Sequence, residues 1–163
     1  MIIHLDDYVH NDGAMTIDLF KLIHWMDHTV EFKIYALMAG CIPDDILHVE
    51  HLLGVEIGLH GWNHFIEPAF GYWQARHLLE TAKSWGCFSS KFKMPWNRMP
   101  RLGFLRALRE TGFTLVTPYK WQAVVARAVG VTVEWSDPDY LLHPLDLSSN
   151  SYQLQKLKEE LTQ

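Results

Sequence analysis

Short apolar runs alternate with longer stretches of helical spacing along the whole chain. Ile2 to Leu5 reads as a strand, with a turn at Gly13. Thr16 to Met26 has helical spacing through Ile17, Phe20 and Ile23. Phe32 to Leu37 is a second strand, and Pro43-Asp44-Asp45 opens a second helix, where a missing N–H costs little. Val55 to Leu59 is a third strand. Gly71 to Trp85 is a helix ending at Gly86, and Lys91 to Lys93 a short strand. Leu102 to Glu110 is a helix closed by Gly112. Thr114 to Thr117, Val131 to Trp135 and Tyr140 to Leu142 are strands, and Leu154, Leu157 and Leu161 give the tail helical spacing. Repeated strand-then-helix order predicts an α/β fold: a parallel sheet with covering helices, open or barrel-like.

No linker, low-complexity tract or repeat divides the 163 residues, so residues 1–163 are expected to form a single domain. A net charge of -5 without a basic run speaks against nucleic-acid binding and against an anionic membrane surface. No apolar stretch reaches the length of a membrane span. The start, Met1 to Asp7, lacks a basic segment followed by an apolar run, so the expected location is cytoplasmic. Cys41 and Cys87 form no CxxC pair and read as reduced and structural. Seven Trp suit core packing or stacking against sugar rings.

Candidate chemistry collects at the predicted C-terminal ends of the strands, where parallel α/β folds build their sites. Asp6 and Asp7 follow the first strand and His60 the third, with His64 four residues on. Lys93-Met94-Pro95-Trp96 follows the Lys91 strand, and His143 follows the last. Two imidazoles separated by three residues can converge on one cation, with a nearby carboxylate as third ligand. Such a set leaves a coordination position open for water or substrate. The second Asp is then free to act as a base. His24 with His28, and His48 with His51, sit toward helix C-termini, where the dipole favours an imidazolium, and read as structural. His4 and His77 also read as structural, while His10 stays open.

These segments resemble the NodB-type polysaccharide deacetylases, carbohydrate esterase family four. The resemblance lies in Ile3-His4-Leu5-Asp6-Asp7, in His60-Gly61-Trp62-Asn63-His64, in Lys93-Met94-Pro95-Trp96 and in Leu141-Leu142-His143, in the family's order. It implies a deformed, incomplete (β/α) barrel and hydrolysis of an N- or O-acetyl group on an N-acetylglucosamine-type carbohydrate. One divalent ion is implied as cofactor: zinc first, with cobalt, nickel or manganese also compatible. The roles implied are Asp6 as general base, His143 as general acid, and Asp7, His60 and His64 as metal ligands. Lys93, Pro95 and Trp96 fall on the substrate and oxyanion side. The implied partner is an acetylated carbohydrate, with a homo-oligomer as a further expectation. Gly61 stands where the family has Ser or Thr, and Lys93 where it has Arg. The family's Asp with a downstream Trp has no match in order, since Trp135 precedes Asp137. Those departures keep a second expectation alive: a protein of this fold that binds metal or sugar without turnover.

Overall fold

The computed structural model describes residues 1–8, 30–39, 41–64, 67–143 and 152–161. Seven strands form one sheet: β1 (Ile2–Tyr8), β2 (Glu31–Leu37), β3 (Ile57–Gly61), β4 (Lys91–Lys93), β5 (Thr114–Thr117), β6 (Val133–Trp135) and β7 (Tyr140–Leu142). Their order is β6-β5-β4-β3-β2-β1-β7, and every pairing is parallel. The helices are α1 (Pro43–Leu53), α2 (Tyr72–Trp85), α3 (Leu102–Thr111), α4 (Lys120–Ala128) and α5 (Tyr152–Leu161). The expected Thr16–Met26 helix, the Gly13 turn, His10, His24 and His28 lie outside the described residues.

Two distances show that this sheet is curled into an open barrel. Lys33 Nζ on β2 meets Glu134 Oε1 on β6 at 2.5 Å, although the two strands are four places apart. In a flat sheet four spacings would put them roughly 19 Å apart, beyond the reach of the two side chains. The chain also passes from Trp135 on one edge strand to Tyr140 on the other through residues 136–139 alone. Five steps of backbone cover at most about 18 Å, whereas six flat spacings need about 29 Å. The deformed (β/α) barrel expected from the sequence is the fold observed.

The strands turn their apolar residues outward, against the helices. Ile3, Leu5, Ile34 and Ile57 pack with Ile46, Val49, Leu154 and Leu157 from α1 and α5. Leu59, Phe92 and Leu115 pack with Leu78, Leu79, Phe104 and Leu108 from α2 and α3. The alternate residues line the lumen, and they are polar: His4, Lys93 and His60 are all buried. This explains the unusual alternation of Ile3-His4-Leu5-Asp6 and Lys91-Phe92-Lys93. Parallel strands covered on both faces ordinarily read as continuous apolar runs.

Helix ends fall where expected, with Gly86 and Gly112 left-handed after α2 and α3. Strand bounds shift. β1 runs on through Asp6 and Asp7, and β3 starts at Ile57 and includes His60. The sequence reading missed α4. Its buried residues are Gln122, Ala123 and Ala126, while Trp121, Val124 and Val125 are exposed. Apolar periodicity therefore gives no signal for its packed face.

Candidate metal centre

The site begins with an irregularity in β1. Leu5 pairs with Ile34 and Tyr8 with Ala36, so three steps on β1 oppose two on β2. The extra residue forms a bulge, and Asp7 takes φ 60 there. Asp6 consequently stays in the lumen, 3% exposed, while Asp7 is lifted toward the rim. Adjacent carboxylates thus reach two different environments.

Asp7 is the centre of a cluster. Its Oδ1 lies 3.4 Å from His60 Nε2 and 3.3 Å from His64 Nε2, and its Oδ2 lies 3.2 Å from His143 Nδ1. One donor atom from each of Asp7, His60 and His64 falls within 4.8 Å of the others. His60 Nδ1 is 2.8 Å from the Lys93 carbonyl, which can only accept, so Nδ1 carries the proton and Nε2 presents a lone pair. Burial, opposed in part by the Asp6 and Asp7 carboxylates, holds the His60 pKa below its ordinary value and keeps the ring neutral. Neither His60 Nε2 nor Asp7 Oδ1 has a hydrogen-bond partner, though both are buried. Two buried lone pairs facing each other call for a cation between them. The donor set of two imidazoles and one carboxylate suits a divalent ion with an open position. Burial would raise the Asp7 pKa, but the His143 hydrogen bond and the neighbouring imidazoles outweigh it and bring it below its ordinary value.

Asp6 is held from below. Lys93 Nζ is 2.8 Å from both carboxylate oxygens and 3.1 Å from His4 Nδ1. His4 Nε2 in turn meets Ser136 Oγ at 2.9 Å, on the segment that closes the barrel. Burial first, then the Lys93 ammonium, pushes the His4 pKa down to about 3. Burial also lowers the Lys93 pKa, against the pull of Asp6. Lys93 was expected on the substrate side with Pro95 and Trp96. It has no exposed surface, and its place is beneath the site, fixing Asp6.

The turn after β4 carries Trp96. Pro95 is buried, while Trp96 is 49% exposed and meets the His64 ring edge-on at 4.9 Å between centroids. Gln122 Nε2 donates to the Asn97 carbonyl and pins this turn from α4. Trp96 has φ 55 and Asn97 φ 52, and His64 has φ 70. With Asp7, these are the positive-φ residues other than glycine among the described residues; Asp7 and His64 belong to the cluster, and Trp96 and Asn97 form the turn that meets His64. Left-handed backbone costs roughly 1–3 kcal/mol per residue of this kind, and it collects at functional sites.

Asp6, Asp7, His60, His64, Lys93, Trp96 and His143 therefore form one connected constellation, with Pro95 in the turn beneath Trp96. His48, His51 and His77 are exposed on α1 and α2, away from it. Two contributors escaped the sequence reading. His4 was read as structural, and its alternation with the strand's apolar residues was the available signal for a lumen position. Glu67 has no exposed surface, and its Oε1 accepts from the Trp62 and Asn63 N–H groups. A single Glu outside any motif gave no signal.

No protein-family model matches the chain, and no curated protein matches it. Solved structures do. A peptidoglycan N-acetylglucosamine deacetylase superposes with TM-score 0.64 at 15% identity, over 99% of this chain and 81% of that one. A family 4 acetyl xylan esterase from Clostridium thermocellum, in complex with a cobalt ion, gives 0.61 at 16%, over 98% and 85%. The chain has the family 4 carbohydrate esterase fold. A family 4 pseudoenzyme from Bacillus anthracis shares that fold too, with TM-score 0.61 and 13% identity over 98% of this chain and 61% of that one. Because the fold accommodates esterases, deacetylases and a pseudoenzyme alike, function has to be argued from the site.

Proposed function

We propose that this protein is a metal-dependent hydrolase that removes an acetyl group from a carbohydrate, with Asp7, His60 and His64 holding the ion. The observation that carries the reading is the pair of buried, unpartnered donor atoms, Asp7 Oδ1 and His60 Nε2, beside His64 Nε2. A divalent cation bound there would polarise a carbonyl and let water lose a proton near neutral pH. Zinc suits the donor set best, and cobalt, nickel or manganese would serve.

The side chains supply the remaining parts. Asp6, fixed by Lys93, takes the proton of the attacking water, and the rigid pairing keeps its carboxylate in one place. His143 is oriented by Asp7 Oδ2 and returns a proton to the departing amine or alcohol oxygen. A backbone N–H of the Trp96 turn would stabilise the oxyanion, and the exposed Trp96 ring offers a sugar a stacking face. One similar solved structure is named an acetyl xylan esterase and another a peptidoglycan N-acetylglucosamine deacetylase; both names support an acetylated carbohydrate as substrate, and the second an N-acetylglucosamine-type one.

The test is acetate release from acetylated chito-oligosaccharides by metal-stripped and metal-reloaded protein, beside Asp6→Asn. Turnover restored by metal and lost in Asp6→Asn is expected. Metal uptake with no acetate release from any acetylated sugar would favour the non-catalytic reading, for which Lys93 in place of the family's Arg is the supporting observation. Acetate release indifferent to metal would overturn the proposal.

A further inference from the structure

His60 and His64 converge on Asp7 only because the three residues between them fold back sharply. Gly61 has φ 116 and His64 φ 70. The carbonyls of this segment are pinned to the end of β2: Met38 N–H donates to the Gly61 carbonyl and Ala39 N–H to the Trp62 carbonyl, at 2.9 and 2.8 Å. Its amides turn the other way, onto one buried atom. Glu67 Oε1 accepts from Trp62 N–H at 2.5 Å and from Asn63 N–H at 2.7 Å. Successive backbone N–H groups closing on one carboxylate oxygen make an anion-binding nest.

The two partners are also fitted in shape. A Cβ at position 61 would fall 2.9 Å from both Cγ and Oε1 of Glu67. Glycine at 61 and glutamate at 67 therefore occupy space that a side chain at 61 would need.

We infer that Glu67 is the positioning residue of this metal-binding segment: its carboxylate holds the Trp62 and Asn63 amides and thereby sets His64 opposite His60. The inference rests on the metal reading above. Glu67 is not one of the three candidate ligands; through the Trp62 and Asn63 amides it acts on the backbone that carries His64. His60 has its own support from the Lys93 carbonyl, so loss of Glu67 falls mainly on His64.

The test is titration of metal-stripped protein with Co²⁺ alone, in wild type and in Glu67→Ala, Glu67→Asp and Glu67→Gln. Removing a group that orients metal ligands typically weakens affinity 10–100-fold. That loss, with an altered visible spectrum of the Co²⁺-loaded protein, is expected for Glu67→Ala. It is expected also for Glu67→Asp, which is one methylene too short and carries the test should the alanine variant fail to fold. Glu67→Gln keeps an oxygen acceptor for both amides and is expected within a few-fold of wild type. In the metal-free protein, Trp62 and Asn63 amide exchange should accelerate in Glu67→Ala and stay near wild type in Glu67→Gln. Unchanged Co²⁺ affinity and spectrum in Glu67→Ala and Glu67→Asp would overturn the inference and leave the metal site standing. Failure of the wild type itself to bind Co²⁺ would overturn both.

Discussion

Replacing Lys93 by Met tests the lumen chemistry most sharply. Lys93 and Asp6 are 0% and 3% exposed, and Lys93 Nζ lies 2.8 Å from each Asp6 oxygen. Methionine nearly preserves the volume of the stem but strands a buried carboxylate. Breaking one side of a buried pair costs about 3–5 kcal/mol, because the surviving charge has lost its compensation. For a domain of this size that corresponds to a fall in Tm of roughly 6–20 °C. The second variant is the informative one. Lys93→Met with Asp6→Asn removes both charges, so the stranded carboxylate disappears and most of the lost stability should return. The expected outcome is a coupling of at least ~2 kcal/mol in a urea-unfolding double-mutant cycle. A Lys93→Met protein within about 1 kcal/mol of wild type, or a double variant worse than the sum of the singles, would refute this reasoning.

Three further outcomes follow from the geometry. With a pKa pushed down to about 3, His4 stays neutral in the folded protein while the unfolded chain takes up a proton near pH 6.5. The unfolded state then binds more protons between those limits, so stability is lost as pH falls from about 6.5 toward 3, by up to about 4 kcal/mol. Unfolding of His4→Gln should show a shallower decline than wild type between pH 7 and pH 4; parallel declines would exclude the effect. Gly58→Ala should destabilise by about 1–3 kcal/mol, since its Cβ would fall 2.8 Å from the Tyr35 ring and 3.3 Å from the Lys91 carbonyl; an unchanged denaturation midpoint would show that the lumen can yield. Asp6→Asn should lower acetate release roughly 10²–10⁴-fold while leaving Co²⁺ affinity within a few-fold; comparable loss of both would move Asp6 into the ligand set.

Much of the barrel was legible because its outward residues follow strand and helix periods closely. The limits of β4, β5 and β7 match the sequence reading, and the glycines that close α2 and α3, Gly86 and Gly112, fall where it put them. The cluster residues were legible because parallel strands deliver their C-terminal ends to one rim. Other features depend on contacts between distant segments. The bulge that separates Asp6 from Asp7 arises from pairing with β2, so sequence alone placed both residues after the strand. Lys93 read as a rim residue because it ends the Lys91 strand and opens Lys93-Met94-Pro95-Trp96, and only the curl of the sheet supplies its partners Asp6 and His4. Glu67 fits against a glycine six positions earlier, a relation with no periodic signature. Helix α4 was missed because its exposed face is the more apolar one.

The most direct measurement is calorimetric titration of the metal-stripped protein with Zn²⁺, in wild type and in His60→Ala and His64→Ala. One ion per chain in wild type, lost or greatly weakened in both variants, is the result predicted from the facing lone pairs of Asp7 Oδ1 and His60 Nε2. No uptake by the wild type, or uptake unchanged in both variants, would contradict the metal centre itself.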